Sequence, residues 1–394
     1  KRNILRKLLD SEYGMISRWV RFTIVGGNFP SGDYYKDLEG KITDNPIPCG
    51  KIAWRHHTLS IVLFNVTILL LYQFLLPIFG SKLSLMSLVL FILHPFGTQC
   101  VAWISAFGYL LSLFWISVIL NFSHYVYQFE RDVTFMLCAI LAFIILKFLA
   151  INALFIAICL SPILWMLGYK IFAVISVAMS LFMGMRIIRA TIDLRIKSFK
   201  EQAMGDSTYV KFRKVIIAFK TLLYYMLQTF YPNKMGLYHK WGYHYEKDLE
   251  REDWMFVGGV VLTVILAFWF FTTPVFAIKL GILWYVAFLF IFLNWVTIQQ
   301  FVTERYCYVP VFGFCFIVAY YLQNHLYVYA FLAGIYLCRT WLFLPTYDNE
   351  LRFYLSNTWH FPDSEIAYGN LGVTYRMTGM IGTALDCWAV STKI

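Results

Sequence analysis

His94-Pro95-Phe96-Gly97-Thr98-Gln99-Cys100-Val101-Ala102-Trp103-Ile104 is a polar break, bent by a proline, between two apolar runs. The runs on either side decide the fold class. Of 394 residues, 60% are apolar, 14% are charged and 20% are aromatic, and the mean hydropathy is +0.64. Such a chain belongs in a bilayer. A lipid-exposed backbone must bond within its own segment, so the runs are expected to be helices and the fold all-α.

Working outward, segments long enough for ~30 Å of hydrocarbon occur at 58–79, 99–121, 133–150, 151–168, 169–188, 213–231, 255–273, 276–299, 309–323 and 325–344. A shorter run at 84–93 stops at His94-Pro95. The expectation is a polytopic helical membrane protein with ten or eleven membrane segments. Residues 1–57 form an amphipathic, interfacial part that includes Ile16–Ile24, residues 58–345 the membrane domain, and residues 346–394 a polar tail. The first apolar run begins near residue 58, so no cleavable signal peptide is expected.

The net charge of +11 resides in loops between apolar runs, which fits anionic lipid better than nucleic acid. Between Arg186 and Lys220 nine basic residues face three acidic ones, marking a cytoplasmic or matrix side. The eight cysteines form no CxxC pair and fall mostly inside apolar runs, so neither a disulfide framework nor a metal site is expected. Trp54-Arg55-His56-His57 reads as an interfacial anchor, because adjacent histidines point in different directions on a helix. His239 and His244 flank Trp241-Gly242 in a loop, and Tyr231-Pro232-Asn233 ends a span. In the tail, Asn370-Leu371-Gly372 with Tyr375, then Gly379, then Ala384-Leu385, is written like a tetratricopeptide helix pair. Gly372 and Ala384 would let the helices approach, with Tyr375 and Leu385 filling the space between them. A single such pair needs a neighbour, so it is expected to dock on the membrane body or on a partner protein.

Four stretches, in order, resemble the transmembrane-and-tetratricopeptide-repeat (TMTC) proteins of the GT-C glycosyltransferase class. They are His94-Pro95 through Thr98 and Trp103 to Leu110-Leu111; Glu304-Arg305 through Tyr308 and Pro310 to Gly313; the exit Pro345–Glu350; and the C-terminal pair. The resemblance implies a GT-C-like body, a dolichyl-phosphate or other polyprenyl-phosphate sugar donor, and transfer to a protein hydroxyl. By the same resemblance Arg305, His94 and Lys147 would hold the lipid phosphate. Pro95, Thr98, Trp103, Glu304, Tyr308 and Pro310 would be the structural motif.

The charges that the family carries are nevertheless replaced. Gln99 stands for its glutamate, and Ala106-Phe107-Gly108-Tyr109 stands where it has an arginine and an aspartate. Leu146-Lys147-Phe148 lacks the second glutamate. For the family's acidic catalytic pair the only nearby candidates are Asp33 and Asp37, in Gly-Asp-Tyr-Tyr-Lys-Asp. A kept scaffold with a neutralised centre points to a non-catalytic scaffold or accessory subunit of a larger membrane complex. It would need no cofactor beyond bound phospholipid, and its partners would be lipids and other membrane subunits. The alternative is a lipid-phosphate-sugar-dependent protein O-glycosyltransferase, with a transporter or channel as the third reading. The richness in Phe, Tyr and Ile suits an organellar (mitochondrial) inner membrane, and the family relation suits the endoplasmic reticulum.

Overall fold

The computed structural model describes residues 53–103, 106–129, 153–178, 208–233, 235–236, 253–293 and 302–393, with short pieces at 137–138, 140–142 and 180–181. Asp33, Asp37, Lys147, Phe148, His239, His244 and the Ile16–Ile24 stretch lie outside the described residues. What is described is helical. The helices are α1 (Ala53–Leu93), α2 (Phe96–Ala102), α3 (Phe107–Gln128), α4 (Ala153–Met166), α5 (Thr208–Phe230) and α6 (Asp253–Thr272). They continue as α7 (Phe276–Phe290), α8 (Tyr308–Leu322), α9 (Leu326–Phe343), α10 (Glu350–His360), α11 (Glu365–Met377) and α12 (Ile381–Ser391). Single 3-10 turns, Glu304–Cys307 and Leu344–Tyr347, lead into α8 and out of α9.

Five helical stretches are long and apolar enough to cross a membrane: Trp54–Leu93, Phe107–Gln128, Trp254–Thr272, Glu304–Leu322 and Leu326–Tyr347. Shorter apolar helices run over Ile156–Met166, Val215–Phe230 and Phe276–Phe290. The chain is therefore a helical membrane protein. Phe107–Gln128 and Glu304–Leu322 are mostly buried among neighbours, whereas Trp254–Thr272 and Leu326–Tyr347 leave most of their surface to lipid.

α1 is two arms. Gly80 has φ 78° and ψ 167°, a backbone conformation that interrupts the helix and that side chains disfavour. The ring centroids of Phe64 and Phe91 lie 6.3 Å apart. In a straight helix 27 residues would separate them by about 40 Å, so the chain doubles back at Gly80. The runs 58–79 and 84–93 are thus antiparallel arms of one hairpin. α3 then runs parallel to the first arm, with Asn121 Nδ2 donating to the Leu70 carbonyl at 2.9 Å and Gln73 bonded to the Tyr125 hydroxyl.

The expected span at 99–121 is not continuous. α2 stops at Ala102, Trp103 is extended (φ −86°, ψ 113°), and α3 starts at Phe107. Pro95 caps α2 with helical dihedrals, which leaves His94 as the corner between the second arm and α2. The core packs around this hairpin. Phe91 of the second arm meets Tyr308 and Phe312 at 5.5 and 5.6 Å. Phe79, at the Gly80 end, meets Phe276 and Phe316 at 5.9 and 4.8 Å. α8 therefore climbs from the His94 end to the Gly80 end, and α7 descends beside it. α9 descends as well, with Tyr329 and Thr340 donating to the carbonyls of Met86 and Leu93.

α7 and α8 touch backbone to backbone. A Cβ on Gly313 would lie 2.5 Å from the Gly281 carbonyl oxygen and 2.8 Å from the Tyr285 nitrogen. A Cβ on Gly281 would lie 2.8 Å from the Gly313 oxygen. This closeness lets Trp284 Nε1 reach the Val309 carbonyl at 2.8 Å. Pro310, within the first turn of α8, lacks only a donor that would have no intrahelical partner there.

The polar tail is a three-helix cap on the His94 end. Asn349 caps α10 by accepting from the Arg352 nitrogen at 2.8 Å, and Ser364 caps α11. α11 and α12 form a hairpin closed at Gly379 (φ 82°), where the Met380 and Gly379 nitrogens return to the Tyr375 and Arg376 carbonyls. Ala384 is fully buried as expected, but Leu385 is 57% exposed and does not fill the gap. Trp388 does. Its Nε1 donates to the Gly369 carbonyl at 3.1 Å, and a Cβ on Gly372 would lie 2.4 Å from that nitrogen. The indole is the larger ring, and a one-turn shift in register puts it opposite the two glycines.

Gly313→Ala is expected to destabilise the protein by about 1–3 kcal/mol, because the added methyl meets backbone that cannot move aside. Apparent melting in detergent checks this. Gly334→Ala, whose Cβ would meet nothing within 4 Å, should leave melting unchanged or raise it slightly.

Candidate functional site

Two breaks in the membrane helices face each other at the His94 end. One is the corner that carries α2, from His94-Pro95 to the extended Trp103, and the other is the 302–307 turn ahead of α8. Each breaks the helical ladder and so leaves peptide groups in need of partners. The side chains between them supply those partners.

His94 is fully buried. The Phe96 nitrogen donates to its Nδ1 at 3.3 Å, which leaves Nε2 to donate to the Thr229 carbonyl at 3.0 Å. Its ring packs on Phe96 and Tyr336 at 4.8 and 4.7 Å. His94 lies just past the end of the Trp54–Leu93 span. Burial pushes its pKa down to about 4, only partly opposed by the bond to Thr229. The imidazole is neutral at pH 7 and serves as a corner brace. Tyr336 also donates to the Thr229 carbonyl, at 3.2 Å.

Gln99 is fully buried on α2, with its Oε1 accepting from the Arg305 backbone nitrogen at 2.8 Å and from Thr303 Oγ1 at 3.4 Å. It clamps the 302–307 turn to α2. From the other side the Tyr225 hydroxyl bonds both peptide groups of Thr303, accepting from its nitrogen and donating to its oxygen, each at 3.0 Å. Thr229 Oγ1 lies 3.2 Å from the Tyr285 hydroxyl and 3.6 Å from Cys307 Sγ. Thr98 and Tyr308 are buried in the same knot.

Arg305 extends into an aromatic enclosure. Its guanidinium carbon lies 5.1 Å from the Trp103 ring, 5.4 Å from Tyr306 and 5.7 Å from Tyr109. Tyr306 is stacked in turn on Phe292 at 4.5 Å, nearly parallel at 8°. Trp103 is covered on its outer side by Phe353 of α10, stacked at 5.8 Å. Gly236 packs closely on α10 and Phe361, since a Cβ there would lie 2.6 Å from both Asn357 Oδ1 and Phe361 Cε2. Glu304, 4% exposed, points into the body from the turn beside it.

Of the residues singled out in the sequence, His94, Pro95, Thr98, Trp103, Glu304, Arg305, Tyr308 and Pro310 thus gather at one end of the bundle. Tyr225, Thr229 and Tyr336 were missed. They sit in apolar runs at helical spacing, and nothing local separates them from lipid-facing aromatics. At Trp54–His57, Trp54 is exposed with Arg55 over its ring at 5.4 Å, and His56 is buried while His57 is half-buried. Away from the knot, an apolar crevice lined by Leu71, Phe74, Leu120, Trp284 and Phe312 encloses about 10 Å³, enough for about one water. Among the described residues no three His, Cys, Asp or Glu side chains come together as a metal site.

Gln99→Leu keeps the volume but orphans the Arg305 N–H, and is expected to cost about 1–3 kcal/mol in detergent melting. His94 gives a pH dependence of fixed sign. The unfolded chain takes up a proton near 6.5, and the folded protein refuses it until about 4. Stability should therefore be lost as pH falls through that window, and His94→Gln should flatten the slope. Comparison with family models, curated proteins and solved structures gives no match, so the roles of these side chains are read from their geometry.

Proposed function

We propose that the chain is a non-catalytic membrane scaffold or accessory subunit of a larger membrane complex, built on a GT-C-like body of the TMTC type. The observation that carries this reading is the use to which the centre is put. Gln99 is spent on clamping a turn, and Arg305 is satisfied by Trp103, Tyr109 and Tyr306. A catalytic centre for phosphate-linked sugar would need that cation turned toward a ligand, with an acid in reach of the acceptor. In this reading the α11–α12 pair is a single tetratricopeptide-like repeat that seats on a partner protein. The membrane body has ten or eleven segments when those outside the described residues are added, and it resides in an organellar inner membrane.

The buried carboxylate of Glu304 beside Arg305 favours the second reading, a transferase using a dolichyl-phosphate-type sugar donor. Purification under mild detergent separates the two. The scaffold reading expects migration on native gels as part of a stable assembly, and no sugar transfer from dolichyl-phosphate-mannose to a hydroxyl peptide. A monomer that transfers mannose, and loses this with Glu304→Gln, would sink it.

A further inference from the structure

Arg339 is a half-buried charge on a helix that is mostly open on its outer side. It lies in α9, within the span Leu326–Tyr347, four residues before the helix ends at Phe343, which is about 6 Å along the axis. Its guanidinium rests 4.8 Å from the ring centroid of Tyr231 and donates through Nη2 to the Tyr231 hydroxyl. Tyr231, at the end of α5, is itself 53% exposed. Among the described residues no carboxylate comes within ion-pair distance of Arg339.

A guanidinium carries five donors, and Tyr231 engages one face of this one. A charge inside a span is costly enough that a partner is expected, and tyrosine is neutral. Stacking and hydrogen bonding hold the fork in place, so that its remaining donors are preorganised for a second, anionic acceptor. Val328 and Phe331 are exposed and Ile335 is half-buried on the same flank of α9. They precede Arg339 by eleven, eight and four residues, a helical spacing that lines them up with it on the side away from the helix end. Cation, neutral clamp and apolar track occur in the order in which a phospholipid presents phosphate and acyl chain.

We propose that Arg339, steadied by Tyr231, binds the phosphodiester of a glycerophospholipid whose acyl chain lies along Ile335, Phe331 and Val328. The site is separate from the knot around Arg305 and holds whichever reading of that knot is right.

The test uses the full chain, delipidated in detergent, with dioleoyl-phosphatidylglycerol, dioleoyl-phosphatidylcholine or dioleoylglycerol added back. Melting and native mass spectrometry are the readouts. Both phospholipids are expected to raise the melting temperature and remain bound, whereas dioleoylglycerol, with the same chains and no phosphate, does neither. R339M should lower retention at least tenfold, and R339K, which keeps the charge without the fork, several-fold. Equal effects of dioleoylglycerol and the phospholipids on the unaltered protein would overturn the proposal. So would wild-type retention in R339M or, should that variant not fold, in R339K.

Discussion

In a bilayer a peptide group without a partner has no water to turn to, and this fold answers that constraint by setting its two broken segments against each other. The corner around α2, at His94-Pro95 and Trp103, and the turn at 302–307 interrupt the long helices. Gln99 reaches from the first to the backbone of the second. Tyr225 holds both peptide groups of Thr303 from α5, and His94 and Tyr336 converge on the Thr229 carbonyl. Four separate parts of the chain thus meet through side chain to backbone bonds. The glycine contact between α7 and α8 serves the same end, because it brings Trp284 to the Val309 carbonyl.

The same constraint explains why the centre is aromatic. A guanidinium placed among helices needs acceptors and polarizable surface. Tyrosine hydroxyls and indole faces supply both without a second buried charge. Stacking of Phe292 on Tyr306 and of Phe353 on Trp103 fixes the rings that surround Arg305. A side chain so enclosed contributes to the architecture, and the reading of the protein as a scaffold grows from this economy of charge.

Much of the fold was legible in the sequence because hydrophobic runs and their punctuation are local signals. His94-Pro95 bounded the end of the short second arm correctly, whereas nothing in the sequence distinguished Gly80 as the bend or Gly313 as the contact between α7 and α8. The candidate motif residues did assemble, since both motifs are the breaks that lipid forces together. Less legible was anything that depends on which neighbour arrives. The apolar run from 99 to 121 hides a break at Trp103, because an extended tryptophan looks no different from a helical one. Leu385 and Trp388 are one turn apart on α12, and only the register of the hairpin decides which of them faces Gly372. Thr229 and Tyr225 look like ordinary members of an amphipathic run until the 302–307 turn is seen across from them.

The cap on the His94 end has a consequence for the order of assembly. Phe353 stacks on Trp103, and α10 packs on the exit from α9, some 250 residues after the corner that it covers. During synthesis the corner enters the membrane early and then waits, with the indole uncovered, until α10 has been made. Closing a contact of such sequence separation is slow, and the exposed intermediate is the state in which misassembly occurs. A helix made some 250 residues later therefore completes the corner, and the maturation of that part of the membrane domain is timed by the synthesis of α10.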